Sequence, residues 1–279
     1  MSIARLAYMP LVTYPDSVPD DSVASAVAFA AALGCDLHAT TFAVDIPNVS
    51  TPIGGLLLNV PEMIRATEEN SRASCRRLQD LVREKAGTRM KTQCSDRQAF
   101  PGEMGNVAAN EARYFDLALL PWSKDQLVTH DLAQAVVFGA GRPTILVPSS
   151  ARSGPIRHVA VAWDASRVAA RALADAMPLL ADDTRITVLT VQDEKTLAGH
   201  NLAESLADSL ETRGIQAQAL NIELGRRTIA EALQESALEA EAGMLVMGGF
   251  GHSRIRDFIL GGATKGILTD LRLPVLLSH

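Results

Sequence analysis

Glycines stand at uneven spacing in the segment MGGFGHSRIRDFILGGATKGIL (247–268), near the end of the chain. Gly248 and Gly251 lie three residues apart, and nine residues separate Gly251 from the pair Gly261 and Gly262. Glycine at the end of a strand permits a positive φ and a close approach of the backbone to a ligand. A helix that starts after the pair leaves its first N–H groups unpaired, and those donors together with the helix dipole bind anions. The spacing therefore predicts a phosphate-binding loop.

The predicted donors are the backbone N–H groups of Gly262, Ala263 and Thr264, and the side chains of His252, Ser253 and Thr264 could add hydrogen bonds. The alternative interpretation is architectural, because a strand exit, a turn and a helix start also use glycine. The number of glycines at one ligand-facing end favours phosphate binding. Two common phosphate motifs are absent: the sequence has no GxxxxGK[ST], and no GxGxxG follows the first strand of either half.

The elements that position this loop can be read from hydrophobic pattern. In the second half, Ser166 is a predicted N-cap and Thr228 with Glu231 a predicted capping box, and both open helices. Strands alternate with these helices, at 157–163, 185–191, 215–222, 244–247 and 274–278.

The first half repeats the same order, with predicted strands at 3–12, 36–44, 90–95, 115–122 and 142–149. A polar, turn-rich linker (149–155) separates the halves, which we take as domains 1–150 and 151–279. Alternation of strands and helices predicts parallel sheets covered on both faces, so the fold class is α/β with two tandem doubly wound five-stranded sheets. Ligands bind such sheets beyond the carboxyl ends of the strands, where the strand order reverses.

Composition excludes several classes of function. The net charge of −6 gives no electrostatic case for nucleic acid or an anionic membrane. No apolar run approaches the roughly 20 residues of a membrane span, and the first residues have no signal-peptide core. Cys35, Cys75 and Cys94 form no CxxC pair, and no histidines lie at metal-ligand spacing. We expect a cytoplasmic protein with reduced thiols and no metal site of its own.

The pattern G-x2-G-x9-G at Gly248, Gly251 and Gly261 resembles the nucleotide loop of the universal stress protein family. The phrases GHSRIRDFILGGATKGIL, LPVLLSH and VAVAWDASRVAARAL (159–173) resemble proteobacterial members. The resemblance is strong over 155–279 and rests on element order over 1–150, so the chain is similar to tandem members. It implies an adenine nucleotide alpha hydrolase-like fold with strand order 3-2-1-4-5, and a stress-response protein that binds ATP, ADP or AMP, with or without Mg²⁺.

The same resemblance implies the residues of the site. The base would lie against Ala162, Trp163 and Asp164, with Val191 and Met247 packing nearby. The phosphates would lie on Gly251, His252, Ser253, Gly262, Ala263 and Thr264, within the loop that Gly248 and Gly261 bound. Many ATP-binding members carry Ser or Thr where this chain has Gly262. Either Thr264 supplies the missing hydroxyl or the site is weaker, which leaves ATP, AMP and an empty site open.

The corresponding part of the first half lacks these features. No glycine follows its fourth strand, Pro121 has no N–H to offer, and Trp122 is bulky. We therefore predict that the first half has lost its phosphate site. The connection at 45–61 is long and is interpreted as a mobile flap or an interaction surface.

Family members are expected to pair through their last strands, and a tandem chain can satisfy this internally by pairing 143–148 with 274–278. An apolar edge strand is a liability until it is covered. We predict an internal pseudo-dimer, with a dimer of chains left open and the protein partner unknown.

Three functions fit the sequence. The first is a binding protein that responds to an adenine nucleotide in its second half. The second is a slow Mg²⁺-dependent ATP hydrolase with Thr264 or Ser253 nearby, which is disfavoured because no base to activate water can be named and Asp164 has no second carboxylate beside it. The third is a nucleotide-free scaffold whose glycines are architectural. No catalytic residue is assigned.

Overall fold

The computed structural model describes residues 4–47, 59–192, 201–249 and 262–279. In the first half, strands and helices alternate in the predicted order, as β1 (Arg5–Val12), α1 (Asp20–Ala32), β2 (Cys35–Val44), α2 (Val60–Ala86), β3 (Thr92–Ala99), α3 (Met104–Ala112), β4 (Leu117–Trp122), α4 (Leu127–Gly139) and β5 (Thr144–Pro148). Most of the predicted connection at 45–61 lies outside the described residues.

The second half repeats the order, as β6 (His158–Ala162), α5 (Arg167–Ala176), a short 3-10 helix (Met177–Leu179), β7 (Arg185–Gln192), α6 (Leu202–Thr212), β8 (Ala217–Glu223), α7 (Ile229–Glu239), β9 (Met244–Gly248), α8 (Gly262–Thr269) and β10 (Val275–Ser278). Both predicted caps are confirmed. The Ser166 hydroxyl accepts from the N–H of Ala169 at 3.2 Å. Thr228 and Glu231 exchange both hydrogen bonds of a capping box.

The strands form a single ten-stranded sheet in the order β3-β2-β1-β4-β5-β10-β9-β6-β7-β8. Counted from its outer edge, each half has the predicted order 3-2-1-4-5. The two five-stranded sheets expected from the sequence are thus continuous, because β5 and β10 pair antiparallel with Leu276 opposite Ile145. All residues of both strands are buried, so each covers an apolar edge that the other half would otherwise expose.

Two expectations from the sequence concern membrane spans and the cysteines. No helix in the described ranges is both long enough and apolar enough to cross a membrane. All three cysteines are free thiols, and burial raises the pKa of each, to about 11 for Cys35. A raised pKa keeps a thiol protonated at neutral pH, which is typical of structural rather than reactive cysteines.

Candidate functional site

The strand order of the second half reverses between β6 and β9. These strands pair in parallel, with Val159 opposite Met244 and Val161 opposite Val246. From β6 the chain continues outward to β7 and β8, whereas β9 is followed by β10 on the other side. In open α/β sheets, ligands bind in the crevice at the carboxyl ends of the strands where the order reverses, and we call this place between β6 and β9 the carboxyl-end crevice.

Two hydrogen bonds hold the loop after β6 to the end of β7. The N–H of Trp163 donates to the carbonyl of Leu189 at 2.8 Å, and the Thr190 hydroxyl donates to the carbonyl of Trp163 at 2.9 Å. Ala162 and Trp163 are both half-buried. The predicted base-binding residues thus stand on a fixed stretch of backbone at the edge of the crevice.

Asp164 shapes the turn that follows. Its Oδ1 accepts from the N–H of Ser166 at 2.9 Å, and Ala165 between them has a positive φ of 58°. Ser166 then caps α5. The Asp164 carboxylate and the Ser166 hydroxyl together stabilise the turn that joins β6 to α5. A structural role for Asp164 in the turn is therefore present whether or not a ligand binds.

Val191 and Met247, which are predicted to pack near the base, both lie at strand ends. Met247 is the penultimate residue of β9 and is buried, and Val191 is the penultimate residue of β7 and is half-buried. Both therefore lie at the carboxyl ends of strands that border the crevice.

Gly248 is required by packing. A Cβ there would lie 2.6 Å from the carbonyl carbon of Val168 and 2.7 Å from the backbone nitrogen of Ala169. We predicted a close approach of a ligand to this glycine, whereas what lies against it is the first turn of α5. The φ of Gly248 is not positive, contrary to one reason we gave for a glycine here. At this position, the architectural interpretation holds.

The next residue, Gly249, connects the crevice to the end of the chain and to the first half. Its N–H donates to the carbonyl of Ser278 at 2.7 Å, and its carbonyl accepts from Nδ1 of His279 at 3.0 Å. The ring of His279 meets Phe138 of α4 edge-on, with centroids 5.2 Å apart. A Cβ on Gly249 would lie 3.5 Å from Cγ1 of Val137. Helix α4 of the first half therefore packs beside the exit of β9.

Helix α8 is described from Gly262, the residue at which the described range resumes after 249. Gly262 is exposed, and a Cβ added to it would meet no atom of a described residue within 4 Å. Ala263 is half-buried and Thr264 is buried, with 3% of its surface exposed. Because α8 connects the end of β9 to β10, its start lies on the carboxyl side of the sheet, where the first N–H groups of a helix have no partners within the helix.

A glycine that sequence analysis did not single out fixes the position of α8. A Cβ on Gly266 would lie 2.4 Å from the Cβ of Ala230 in α7. The two helices therefore touch through a glycine and an alanine one turn beyond the start of α8. The signal in the sequence was a glycine inside a predicted helix, where it costs about 1 kcal/mol and needs a reason.

We expect Gly266→Ala to destabilise the fold by about 2 kcal/mol, because the new methyl group overlaps the Cβ of Ala230. Adding Ala230→Gly should restore part of that loss, with a coupling energy of about 1 kcal/mol or more. Urea denaturation of the four proteins of this cycle measures both values. Additive effects would mean that α7 and α8 do not touch at these residues.

Four predicted site residues, Gly251, His252, Ser253 and Gly261, lie outside the described residues. Thr190 and His279 were not predicted, because their roles depend on strand neighbours that are remote in sequence. In the described part of the chain, no group of three or more His, Cys, Asp or Glu side chains is arranged to hold a metal ion.

In the first half, the strands equivalent to β6 and β9 are β1 and β4. β1 and β4 pair at only two positions, Ala7 with Leu117 and Tyr8 with Ala118. Farther along, Pro10 and Pro121 have no N–H to extend the ladder.

Beyond those prolines, Trp122 is buried at 3% exposure with its ring 4.4 Å from that of His130. Its carbonyl accepts from the hydroxyl of Ser22 at 3.2 Å. Gln126 reaches from the start of α4 and donates to the carbonyl of Ser17 at 2.9 Å. These contacts tie the loop after β1 to the loop after β4.

Residues 155–279 match the model of the Universal stress protein family. No curated protein matches the chain. Among solved structures, a universal stress protein from Archaeoglobus fulgidus DSM 4304 is similar over 97% of both chains, with 14% identity and a TM-score of 0.63. A putative universal stress protein from Pseudomonas aeruginosa UCBPP-PA14 has 14% identity and a TM-score of 0.54, over 99% of this chain and 93% of that one.

A functionally unknown protein from Pseudomonas aeruginosa PAO1 has 15% identity and a TM-score of 0.50, over 97% of this chain and 92% of that one. At these identities the similarity is one of fold. It extends over both halves, so the α/β architecture built from two similar halves is shared with these structures.

Proposed function

Through residues 155–279 the chain belongs to the universal stress protein family, and from that premise we propose that its second half binds an adenine nucleotide in the carboxyl-end crevice. The observation that most supports this is the start of α8. Its first described residue is a glycine, and a Cβ added there would meet no atom of the described residues within 4 Å. Side chains on a helix lean toward its N-terminus, so any larger residue would cover the place where an anion meets the helix.

The proposed ligand contacts follow from this placement. The phosphates lie against the N–H groups of Gly262, Ala263 and Thr264, whose dipoles add up along α8. The sequence motif assigns the rest of the phosphate loop to Gly251, His252, Ser253 and Gly261. The buried position of Thr264 favours a main-chain role over a hydroxyl contact with the ligand.

The base is proposed to lie at the opposite side of the crevice, against Ala162, Trp163 and Asp164. The amide and carbonyl of Trp163 are already bonded to β7, so this wall is formed before the ligand arrives. Preformed walls reduce the ordering cost of binding. Met247 and Val191 supply apolar contact at the strand ends.

We propose one nucleotide per chain, in domain 151–279. In domain 1–150 the hydrogen bond from Gln126 to the carbonyl of Ser17 and the buried ring of Trp122 argue against a second site. The chain would act as a cytoplasmic, nucleotide-responsive binding protein in a stress response, taking ATP, ADP or AMP with Mg²⁺ as the counterion of the phosphates.

Calorimetric titration of the full chain with ATP, AMP and adenosine tests this. We expect one site per chain, and affinity that falls when the phosphates are removed. Gly262→Val should weaken ATP binding about tenfold or more, which is about 1.4 kcal/mol, while leaving the thermal unfolding midpoint nearly unchanged. No binding at millimolar nucleotide would favour the nucleotide-free scaffold.

Trp122→Ala is the matched control in the first half. It should lower stability, because a large buried ring is lost, without changing nucleotide affinity. A clear loss of affinity, or two nucleotides bound per chain, would contradict the assignment of the site to the second half alone. Phosphate release above background that is lost in Gly262→Val would instead support the hydrolase.

A further inference from the structure

A cavity of about 440 Å³ lies at the amino ends of the second-half strands, opposite the carboxyl-end crevice. His158 and Arg185 are the first residues of β6 and β7, and Gly243 directly precedes β9. Linker residues 152–156 form one wall, and Phe29 of α1 contributes from the first half. This amino-end cavity is thus built by both halves and by the segment that joins them.

The lining of the amino-end cavity carries more positive than negative charge. Arg152, Arg157 and Arg185 face only Asp183 and Glu241. Arg157 forms an ion pair with Asp183. Arg152 and Arg185 make no ion pair or side-chain hydrogen bond with any residue in the ranges that the structure describes. After Arg157 pairs with Asp183, the two other arginines outnumber the remaining carboxylate of the lining, which favours an anionic ligand in a chain of net charge −6.

A buried histidine also lines the amino-end cavity. His158 is 6% exposed, and its Nε2 lies 2.8 Å from the hydroxyl of Thr187, which also accepts from the Gln218 amide at 2.9 Å. Because a hydroxyl can both donate and accept, the contact with Nε2 forms with either ring tautomer. The backbone of Ala240 acts on the ring as a hydrogen-bond partner, although Nδ1 meets strict hydrogen-bond geometry with no described residue.

The charge of His158 is fixed by its surroundings. Burial, together with the nearby Arg185 guanidinium, holds the pKa of His158 below its usual value. The ring is therefore neutral at physiological pH, and the positive charge of the amino-end cavity comes from the arginines alone.

We propose that the amino-end cavity binds a small organic anion, a carboxylate or phosphate monoester carried on an apolar body. Arg152 and Arg185 bind the anionic group through charge-assisted hydrogen bonds. Phe29, Pro155 and Ile156 offer the body an apolar surface. The cavity volume lies within the range of about 300–1,000 Å³ of small-molecule sites. Because the cavity lies at the other end of the strands, the proposal stands independently of nucleotide binding.

Replacing Glu241 should change anion affinity in the direction opposite to the loss of an arginine. It follows α7 with a positive φ of 57°, a conformation that glycine adopts at lower cost after a helix. Its carboxylate lines the amino-end cavity and opposes an anion there. Removing that charge should therefore raise affinity, whereas removing an arginine should lower it.

The test is an NMR titration of the full ¹⁵N-labelled chain with benzoate, phenyl phosphate and neutral benzyl alcohol, which share an aromatic body. We expect at least one anion to shift the amides of Ile156, His158 and Gly243, and benzyl alcohol to leave them unchanged. Arg185→Gln should weaken binding about tenfold and Glu241→Gln should strengthen it about threefold. Both side chains are exposed, so unchanged thermal midpoints confirm that the variants fold.

Comparing the two anions distinguishes a carboxylate ligand from a phosphate ligand. Three results would overturn the proposal: no shifts at about 20 mM of either anion, equal binding of benzyl alcohol, or affinity unchanged in an Arg152→Gln, Arg185→Gln double variant. Shifts confined to residues 262–264 would place the anion at the start of α8 and would equally overturn it.

Discussion

Replacing Gly248 with alanine should lower the free energy of unfolding by about 3 kcal/mol. The added methyl group would lie 2.6 Å from the carbonyl carbon of Val168, and backbone atoms cannot rotate aside as a flexible side chain can. The first turn of α5 would have to move away from β9, and the Asp164 turn with it. Urea denaturation monitored by circular dichroism measures the loss.

Gly262→Ala is the matched control, because the same methyl group at that position meets no atom within 4 Å in the described ranges. Its stability should be unchanged or slightly higher, since alanine is the better helix former by up to about 1 kcal/mol. If Gly248→Ala were as stable as Gly262→Ala, the close packing of α5 on β9 would be refuted. The pair also separates the glycine that packing requires from the glycine proposed to meet phosphate.

Leu276→Asp should destabilise the protein by about 4 kcal/mol or more and unfold both halves in one transition. Leu276 is completely buried in β10, between Ile145 on the antiparallel side and Val246 on the parallel side. An unpaired carboxylate there lies inside the one sheet that both halves share. Thermal unfolding followed by calorimetry reports both the midpoint and the number of transitions.

Leu220→Asp provides the comparison, because Leu220 lies on the outer strand β8 with 39% of its surface exposed. We expect a change of about 0.5 kcal/mol or less at this edge. Two separate transitions in Leu276→Asp, with the first half unaffected, would show that the strands do not join the halves into one cooperative unit.

Much of this fold could be predicted because local chemistry and global packing agree. The caps at Ser166 and Thr228 depend on residues three positions away, which the sequence displays directly. Pairing of β5 with β10 was implied by the family resemblance, and the need to cover two apolar edge strands gave it a physical reason. Loss of the first-half phosphate site remains a prediction, supported by Pro121 and Trp122, which were visible in the sequence.

Other features depend on neighbours that a sequence does not reveal. Gly248 and Gly266 are required by close packing against α5 and α7. Spacing alone therefore cannot distinguish the glycines of the motif that serve packing from those that serve binding. In the sequence, β6 and α5 separate Arg152 from Arg185, whereas in the fold both line the amino-end cavity. Their proximity exists only once β6 and β7 pair.

A crystal structure of the full chain grown with ATP tests the nucleotide proposal most directly. The density of a triphosphate should run over Gly262 at the start of α8, with the adenine beside Trp163 and Asp164, and the first half should contain no nucleotide. A carboxyl-end crevice filled by the protein's own side chains, or a nucleotide bound beside Trp122, would contradict the proposal.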